Sequence, residues 1–297
     1  MHFFIHNSAH AGDVILSRLI IKAIRESFPD VKITLECMEA KKYLWEDMGL
    51  TVVSYEGKHV CSTAPTPNCP SDAVFINLWF GLYPNILRAY YMSYDNNVHS
   101  FNRQMKEKGL HHLYHLHVPE FPPALEFYSK QQLPVEIAEN SVLVENGEVL
   151  SGQSRFRMNA YLEQISNAFP ELTFYCSAEP PFKASNVVDC GKLNLLQLSE
   201  LSNHCKGFLV CGSGVNAATY TEPNRFKPRC FVGMSMPIKI LLDKRNPPIE
   251  VKNITGALRF LRTLVSKNPN IGNSRFGGMC TFLKSAAKKQ LHRLFNS

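Results

Sequence analysis

Short apolar, β-prone runs alternate with amphipathic helical stripes along most of the chain, and this alternation narrows the fold most. It starts at once. His2-Phe3-Phe4-Ile5-His6 is a short strand pattern, and Asn7 to Asp13 has loop composition. From Val14 to Ser27 apolar residues recur at helical spacing, with Arg18, Lys22, Arg25 and Glu26 on the other face. Phe28-Pro29-Asp30 stops that helix, and Val31 to Leu35 alternates as a second strand. A strand–helix–strand unit of this length implies a parallel pair. A short helix over 39–48 and strands over 51–55 and 72–79 follow, with a loop over 56–71 and a mostly helical, aromatic-rich stretch over 81–118. A Pro-punctuated passage leads to a linker near 130–140. Strands over 141–145, 172–176, 186–189, 207–211 and 229–233 then interleave with helices over 157–169, 194–204, 215–221 and 254–266. The pattern predicts an α/β chain of two Rossmann-like domains, 1–135 and 136–297, with parallel sheets facing a central cleft.

Composition agrees with that picture. The chain has 297 residues, is 45% hydrophobic and 19% charged, and is long enough for two cores. No apolar run is long enough to span a membrane. The N-terminus lacks a basic region and a cleavage site, so no secretory signal is expected. The nine cysteines form no CxxC pair and lie mostly in apolar stretches. They read as buried thiols of a reducing compartment, hence a cytoplasmic chain. Cys61 and Cys69, flanking a polar loop, are the one plausible local disulfide. Charge is unevenly spread. Residues 1–140 hold 12 of the 32 Lys/Arg and 15 of the 25 Asp/Glu, a net charge of −3, which leaves +10 in residues 141–297. That asymmetry favours an anionic ligand or surface. Nucleic acid is not expected, since zinc-finger spacing and RNP-like motifs are absent.

Three segments carry candidate chemistry. The loop His10-Ala11-Gly12-Asp13 lies between strand and helix, at the sheet edge where α/β domains bind ligands. Asp13 there is either a helix cap or a carboxylate able to take a proton from a hydroxyl. His10, Gly12 and Asn77, at the end of the fourth strand, are the companion residues on this side. Cys211-Gly212-Ser213-Gly214-Val215 ends a strand and opens a helix, where free amides suit a phosphate; a tight turn with no ligand is the alternative. Arg155 and Arg157 follow the first strand of the second half and suit a diphosphate, or are solvated arginines at a helix start. His111, His112, His115 and His117 read as a surface cluster, because no acidic or thiol ligands complete a metal site. A basic amphipathic helix over 276–295 fits an anionic membrane or a domain surface equally well.

The sequence also resembles the ADP-heptose:lipopolysaccharide heptosyltransferases and related GT-B glycosyltransferases. The resemblance is carried by Gly12-Asp13-Val14-Ile15-Leu16 with Phe28-Pro29-Asp30, by residues 198–214, and by Phe231 to Pro237. It implies a GT-B-like fold and transfer of a sugar from a nucleotide-diphosphate donor to a glycan or glycolipid hydroxyl, by single displacement and with neither cofactor nor metal. Asp13 falls on the family's proposed catalytic carboxylate, and Ser213 and Gly214 on its donor-phosphate loop. Arg155 or Arg157 falls near its basic phosphate contact. The enzyme would work in the cytoplasm, peripheral on the inner face of a membrane. The chain departs from the family at Cys211-Gly212, where an acidic residue is usual, and at Val215 to Ala218, where a histidine is. Those departures leave the donor sugar open. They also keep two alternatives in play: a nucleotide-sugar epimerase or hydrolase, and a non-catalytic nucleotide- or glycan-binding protein.

Overall fold

A computed structural model of the protein describes residues 1–79, 82, 94–119, 123–128, 130–149, 154–235 and 248–266. The basic stretch over 276–295 lies outside them. Two fully parallel sheets form the molecule. The first has the order β3-β2-β1-β4, built from β1 (His2–Asn7), β2 (Lys32–Met38), β3 (Thr51–Tyr55) and β4 (Val74–Asn77). The second comprises β5 (Ser141–Val144), β6 (Thr173–Cys176), β7 (Val187–Asp189), β8 (Gly207–Val210), β9 (Arg229–Val232) and β10 (Ile249–Val251). Its order is β10-β9-β8-β5-β6-β7. Strand order reverses at β1/β4 in one sheet and at β5/β8 in the other. Those reversals are the switch points at which α/β sheets open a crevice beyond their strand ends. The loops after β1, β5 and β8 leave from there.

The described helices are α1 (Ala11–Ser27), α2 (Tyr94–Glu107), α3 (Leu162–Ala168), α4 (Leu195–Ser202), α5 (Gly214–Ala218) and α6 (Ile254–Val265). Four sequence expectations need correction. The helix expected over 39–48 is two 3₁₀ segments, Glu39–Leu44 and Glu46–Met48. The helix expected from Arg157 begins at Leu162, after a 3₁₀ turn at Met158–Ala160, so the arginines precede it. The stretch 111–117 is turn and coil, so His111 and His115 share no helix face. Cys61 and Cys69 are free thiols, while Cys37, Cys176, Cys190, Cys205, Cys211 and Cys230 are buried.

Three apolar clusters fill the interior. One lies under the first sheet and includes Ile5, Ile15, Ile20, Trp45, Val98 and Phe101. It continues into the second half through Leu196, Ala217, Ala218 and Tyr220, with α5 packed on α1 and α4 on α5. The other two line the faces of the second sheet, around Phe174 and Phe260 and around Tyr175 and Phe208.

Candidate active site

The loop after β1 is knitted by a buried asparagine. Asn7 Oδ1 accepts the Ala9 amide at 3.0 Å, and Asn7 Nδ2 donates to Ser17 Oγ at 2.5 Å. Ser17 Oγ in turn donates to the Asp13 carbonyl at 2.8 Å. The loop is thereby held against the first turns of α1. The cap position of α1 is His10, in extended conformation and without a side-chain cap bond. Asp13 lies three residues further on, in the first turn. It is therefore not the cap that composition alone would favour. Burial pushes its carboxyl up to about 7, although the nearby Lys41 ammonium and the His10 amide pull the other way. Lys41 Nζ donates to the Ala9 carbonyl, and burial holds its ammonium below the usual lysine range. A carboxylate pushed up to about 7 can accept a proton from a hydroxyl near neutral pH.

In the second sheet, β8 ends at Val210 and the turn Cys211-Gly212-Ser213 opens α5. Gly212 has φ 86°, the left-handed region that glycine enters without strain. Ser213 caps α5 through its Oγ, which accepts the Val215 amide at 3.3 Å. The remaining amides of the turn do not wait for a ligand. Glu145, immediately after β5 and 1% exposed, fills the turn with its carboxylate. It accepts the amides of Cys211 at 2.5 Å, Gly212 at 2.7 Å, Ser213 at 2.9 Å and Asn216 at 3.3 Å, and the Ser213 hydroxyl. The adjacency of β5 and β8 brings this about, since Val144 sits opposite Leu209. Of the expected phosphate-binding amides, Gly214 alone has no hydrogen-bond partner among the described residues, and Val215 has only the Ser213 hydroxyl.

The two halves meet at glycines. A Cβ on Gly214 would stand 3.1 Å from the Gly12 amide nitrogen and 3.6 Å from Ala11 Cβ. The first turns of α1 and α5 therefore touch backbone to backbone. His10, Gly12 and Asp13 come together with Ser213, Gly214 and Val215, as one rim. Leu125 donates its amide to the Tyr220 carbonyl at 2.7 Å and adds a second tie between the halves.

Arg155 and Arg157 are exposed, and their side chains make no ion pair or hydrogen bond among the described residues. Their segment is anchored on β9 by Ser154, whose Oγ lies 3.1 Å from the Val232 carbonyl and 3.2 Å from that of Gly233. The strand ends β5, β8 and β9 thus carry Glu145, the glycine turn and the arginine segment along one sheet edge. Asn77 is fully buried and holds backbone at Val60, Ser62 and Trp79, so it shapes the first-domain wall from beneath. Glu145, Lys41 and Asn7 escaped the sequence reading. Glu145 had one available signal: it is the lone acid ending the apolar run Val142-Leu143-Val144. Among the described residues no group of three or more His, Cys, Asp or Glu is arranged to hold a metal, and no helix is long and apolar enough to cross a membrane.

No protein-family model matches the sequence, and no curated protein is significantly similar to it. Solved structures do match. The ADP-heptose lipopolysaccharide heptosyltransferase II of E. coli is 12% identical with a TM-score of 0.55, over 89% of this chain and 98% of that one. The E. coli heptosyltransferase WaaC with ADP-2-deoxy-2-fluoro heptose is 12% identical with a TM-score of 0.51, over 88% and 96%. A putative UDP-N-acetylglucosamine 2-epimerase of Listeria monocytogenes is 6% identical with a TM-score of 0.52, over 91% and 88%. The two parallel sheets, meeting at the first turns of α1 and α5, have the GT-B fold in common with these solved structures.

Proposed function

We propose that the protein is a glycosyltransferase that moves a hexosyl or heptosyl group from a nucleotide-diphosphate sugar to a hydroxyl of a glycan or glycolipid. The observation that carries this reading is Asp13, a carboxylate titrating at about 7 on the rim where the two halves touch. In this reading residues 1–135 hold the acceptor and residues 136–297 the donor. Asp13 takes the proton of the acceptor hydroxyl as its oxygen attacks the anomeric carbon. The bond to the diphosphate breaks on the opposite face, in one displacement. Arg155 and Arg157, with the Gly214 and Val215 amides, take up the charge that grows on the leaving diphosphate, and Ser213 holds the turn. Arginines and amides suffice for that role without a metal. The heptosyltransferase fold supports the class of reaction, and the basic second half supports an anionic donor.

A second reading has a specific observation behind it. Glu145 already fills the turn with an anion, and a chain that had lost transfer chemistry could keep such a turn as plain structure. The protein would then bind a nucleotide or a glycan without turnover. An assay against a panel of nucleotide sugars separates the readings. Nucleoside diphosphate released only when acceptor is present supports transfer. Release without acceptor supports hydrolysis, and binding without release supports the non-catalytic protein.

A further inference from the structure

The histidine-rich stretch over 111–117 sits on a tightly tied backbone. α2 ends in a paired turn: the Leu110 amide donates to the Met105 carbonyl at 2.8 Å and the Gly109 amide to that of Lys106 at 3.0 Å, with Gly109 at φ 70°. That turn sends the chain back past the start of β1. Tyr114 is half-buried there, its ring edge to face with Phe3 and Phe28 at centroid distances of 5.0 Å and 5.2 Å. Two residues further on, Leu116 is 2% exposed, and Asn102 of α2 clamps its backbone in both directions. Asn102 Nδ2 donates to the Leu116 carbonyl at 2.8 Å, and the Leu116 amide donates to Asn102 Oδ1 at 2.8 Å.

With residues 114 and 116 held inward, His115 and His117 face out, and such alternation puts residues two apart on one side. Both are exposed, and their ring centroids stand 5.5 Å apart. Neither ring has a hydrogen bond or an ion pair among the described residues, so each can turn a nitrogen toward the other. An imidazole nitrogen binds a divalent transition ion at about 2 Å, and two of them in a tetrahedral array set their ring centroids about 5 Å apart. The spacing observed is that of a chelating pair, closed by small rotations about the side-chain bonds. The rings of His111 and His112 are also close, with centroids 5.8 Å apart. Those residues are consecutive on a turn, however, with no buried neighbour between them to fix a common side. Among the described residues no third His, Cys, Asp or Glu is arranged to complete a metal site with either pair.

We propose that His115 and His117 form a two-histidine site for a divalent transition-metal ion such as Zn²⁺, with water in the remaining coordination positions. Imidazole selects such ions over Mg²⁺ and Ca²⁺, which prefer oxygen ligands. The clamp on Leu116 and the wedged Tyr114 ring pre-organise the pair, so less ordering is left for the ion to impose. The site lies far from Asp13. Tyr114 packs on Phe28, just past the last residue of α1, whereas Asp13 is in its first turn, and a helix of 17 residues is about 25 Å long. The ion therefore has no part in the proposed sugar transfer, and the site holds whether or not the chain is a transferase.

The test uses the full chain without a histidine tag, freed of metal by a chelator and labelled with ¹⁵N in its histidine rings. It is titrated with ZnCl₂ and, separately, with MgCl₂, by calorimetry and by NMR. The expected result is one Zn²⁺ at this pair, with the ring-nitrogen signals of His115 and His117 shifting together and saturably, and no such response to Mg²⁺. His115→Ala or His117→Ala leaves a single ligand and should weaken binding at least ~tenfold, since even outer-shell partners of a ligand are worth about 10–100-fold. Asn102→Ala keeps both ligands but frees Leu116, and should weaken binding about three- to tenfold. His111→Ala and His112→Ala should leave it unchanged. No saturable response to Zn²⁺, an equal response to Mg²⁺, or binding that survives the loss of both His115 and His117 overturns the site. So does binding that depends instead on His111, His112 or the exposed Cys61 thiol. Unchanged affinity in Asn102→Ala would overturn the role given to the clamp.

Discussion

Asp13 and Glu145 are two carboxylates withdrawn from water on facing rims, with opposite surroundings. Glu145 receives four backbone amides and a hydroxyl, whereas Asp13 has one amide and a nearby ammonium to offset its burial. In the proposed function this contrast gives the two residues different tasks, a structural anion and a base. Its consequence for stability has a definite sign. The Asp13 carboxyl keeps its proton up to about 7 in the fold but loses it near 3.8 in the unfolded chain. Between those values the folded state binds the extra proton. The stability this contributes is present at acid pH and is lost as pH rises toward 7. Asp13→Asn, which carries no charge at any pH, should therefore melt at or above the wild type at pH 8 and lose its advantage at pH 4; thermal melts at both values check this. Turnover should climb ~tenfold per pH unit below about 7 and then level, as the base loses its proton. A flat profile across that range would remove Asp13 from proton transfer. Glu145→Gln puts an amide NH₂ among backbone N–H donors. It should lower stability by about 3 kcal/mol, since it leaves buried donors unpaired. A denaturant midpoint equal to the wild type's would show that the turn does not depend on the carboxylate.

At the scale of the element, α5 is five residues long and cannot stand on its own hydrogen bonds. It is held by a buried charge at each end. Glu145 takes the amides at its start. Arg229 reaches its end, with Nη1 2.5 Å from Asn216 Oδ1 and from Thr219 Oγ1 and Nη2 3.4 Å from the Thr219 carbonyl. The guanidinium lies between the rings of Phe208 and Tyr220, 4.6 Å from each centroid. An anion at the start and a cation at the end both suit the helix dipole. Lysine cannot copy a planar fork stacked between two rings. Arg229→Lys is therefore expected to cost about 2–4 kcal/mol, as for other broken buried charge networks, and to loosen the Ser213–Val215 turn. Urea unfolding of the variant tests it, and a change under 0.5 kcal/mol, the usual surface scatter, would contradict it. Most elements were legible in the sequence because their apolar periods are clean, as in α1 and β2. Those that were not have short or mixed patterns. β10 is three residues, Ile249-Glu250-Val251, too few to show a period, and it exists through pairing with β9. The segment 39–48 has helical spacing but folds as two tight 3₁₀ turns, where Leu44, Trp45 and Met48 bury against the first core. The His10–Asp13 loop and the Gly-Ser-Gly turn could be found because each sits between a strand pattern and a helix pattern. Glu145, Lys41 and Asn7 could not, because their roles come from strand adjacency and loop docking, which a linear pattern does not carry.

The whole molecule is less divided than its two sheets suggest. Leu196, Ala217, Ala218 and Tyr220, from the second half, belong to the apolar core beneath the first sheet. A large apolar junction of this kind restrains relative motion and couples the halves. Calorimetry should accordingly show one unfolding transition for the full chain, and two separated transitions would contradict the shared core. Gly214→Val should weaken the junction by about 1–3 kcal/mol through overpacking against the Gly12 backbone. The two-sheet plan was readable from the βα rhythm on either side of residues 130–140. The interlocking of the halves was not, because Ala217 and Ala218 look like ordinary helix residues until α1 is laid against them. In the proposed function this junction places a base, Asp13, opposite a donor diphosphate. The most direct measurement is nucleoside diphosphate release by wild type and by Asp13→Asn, with and without acceptor, alongside nucleotide binding by calorimetry. The expected result is acceptor-dependent release by the wild type, and an Asn variant that binds nucleotide equally well but turns over ~10²–10⁴ times more slowly. An Asn variant as fast as the wild type, or a wild type that binds no nucleotide sugar, would contradict the account.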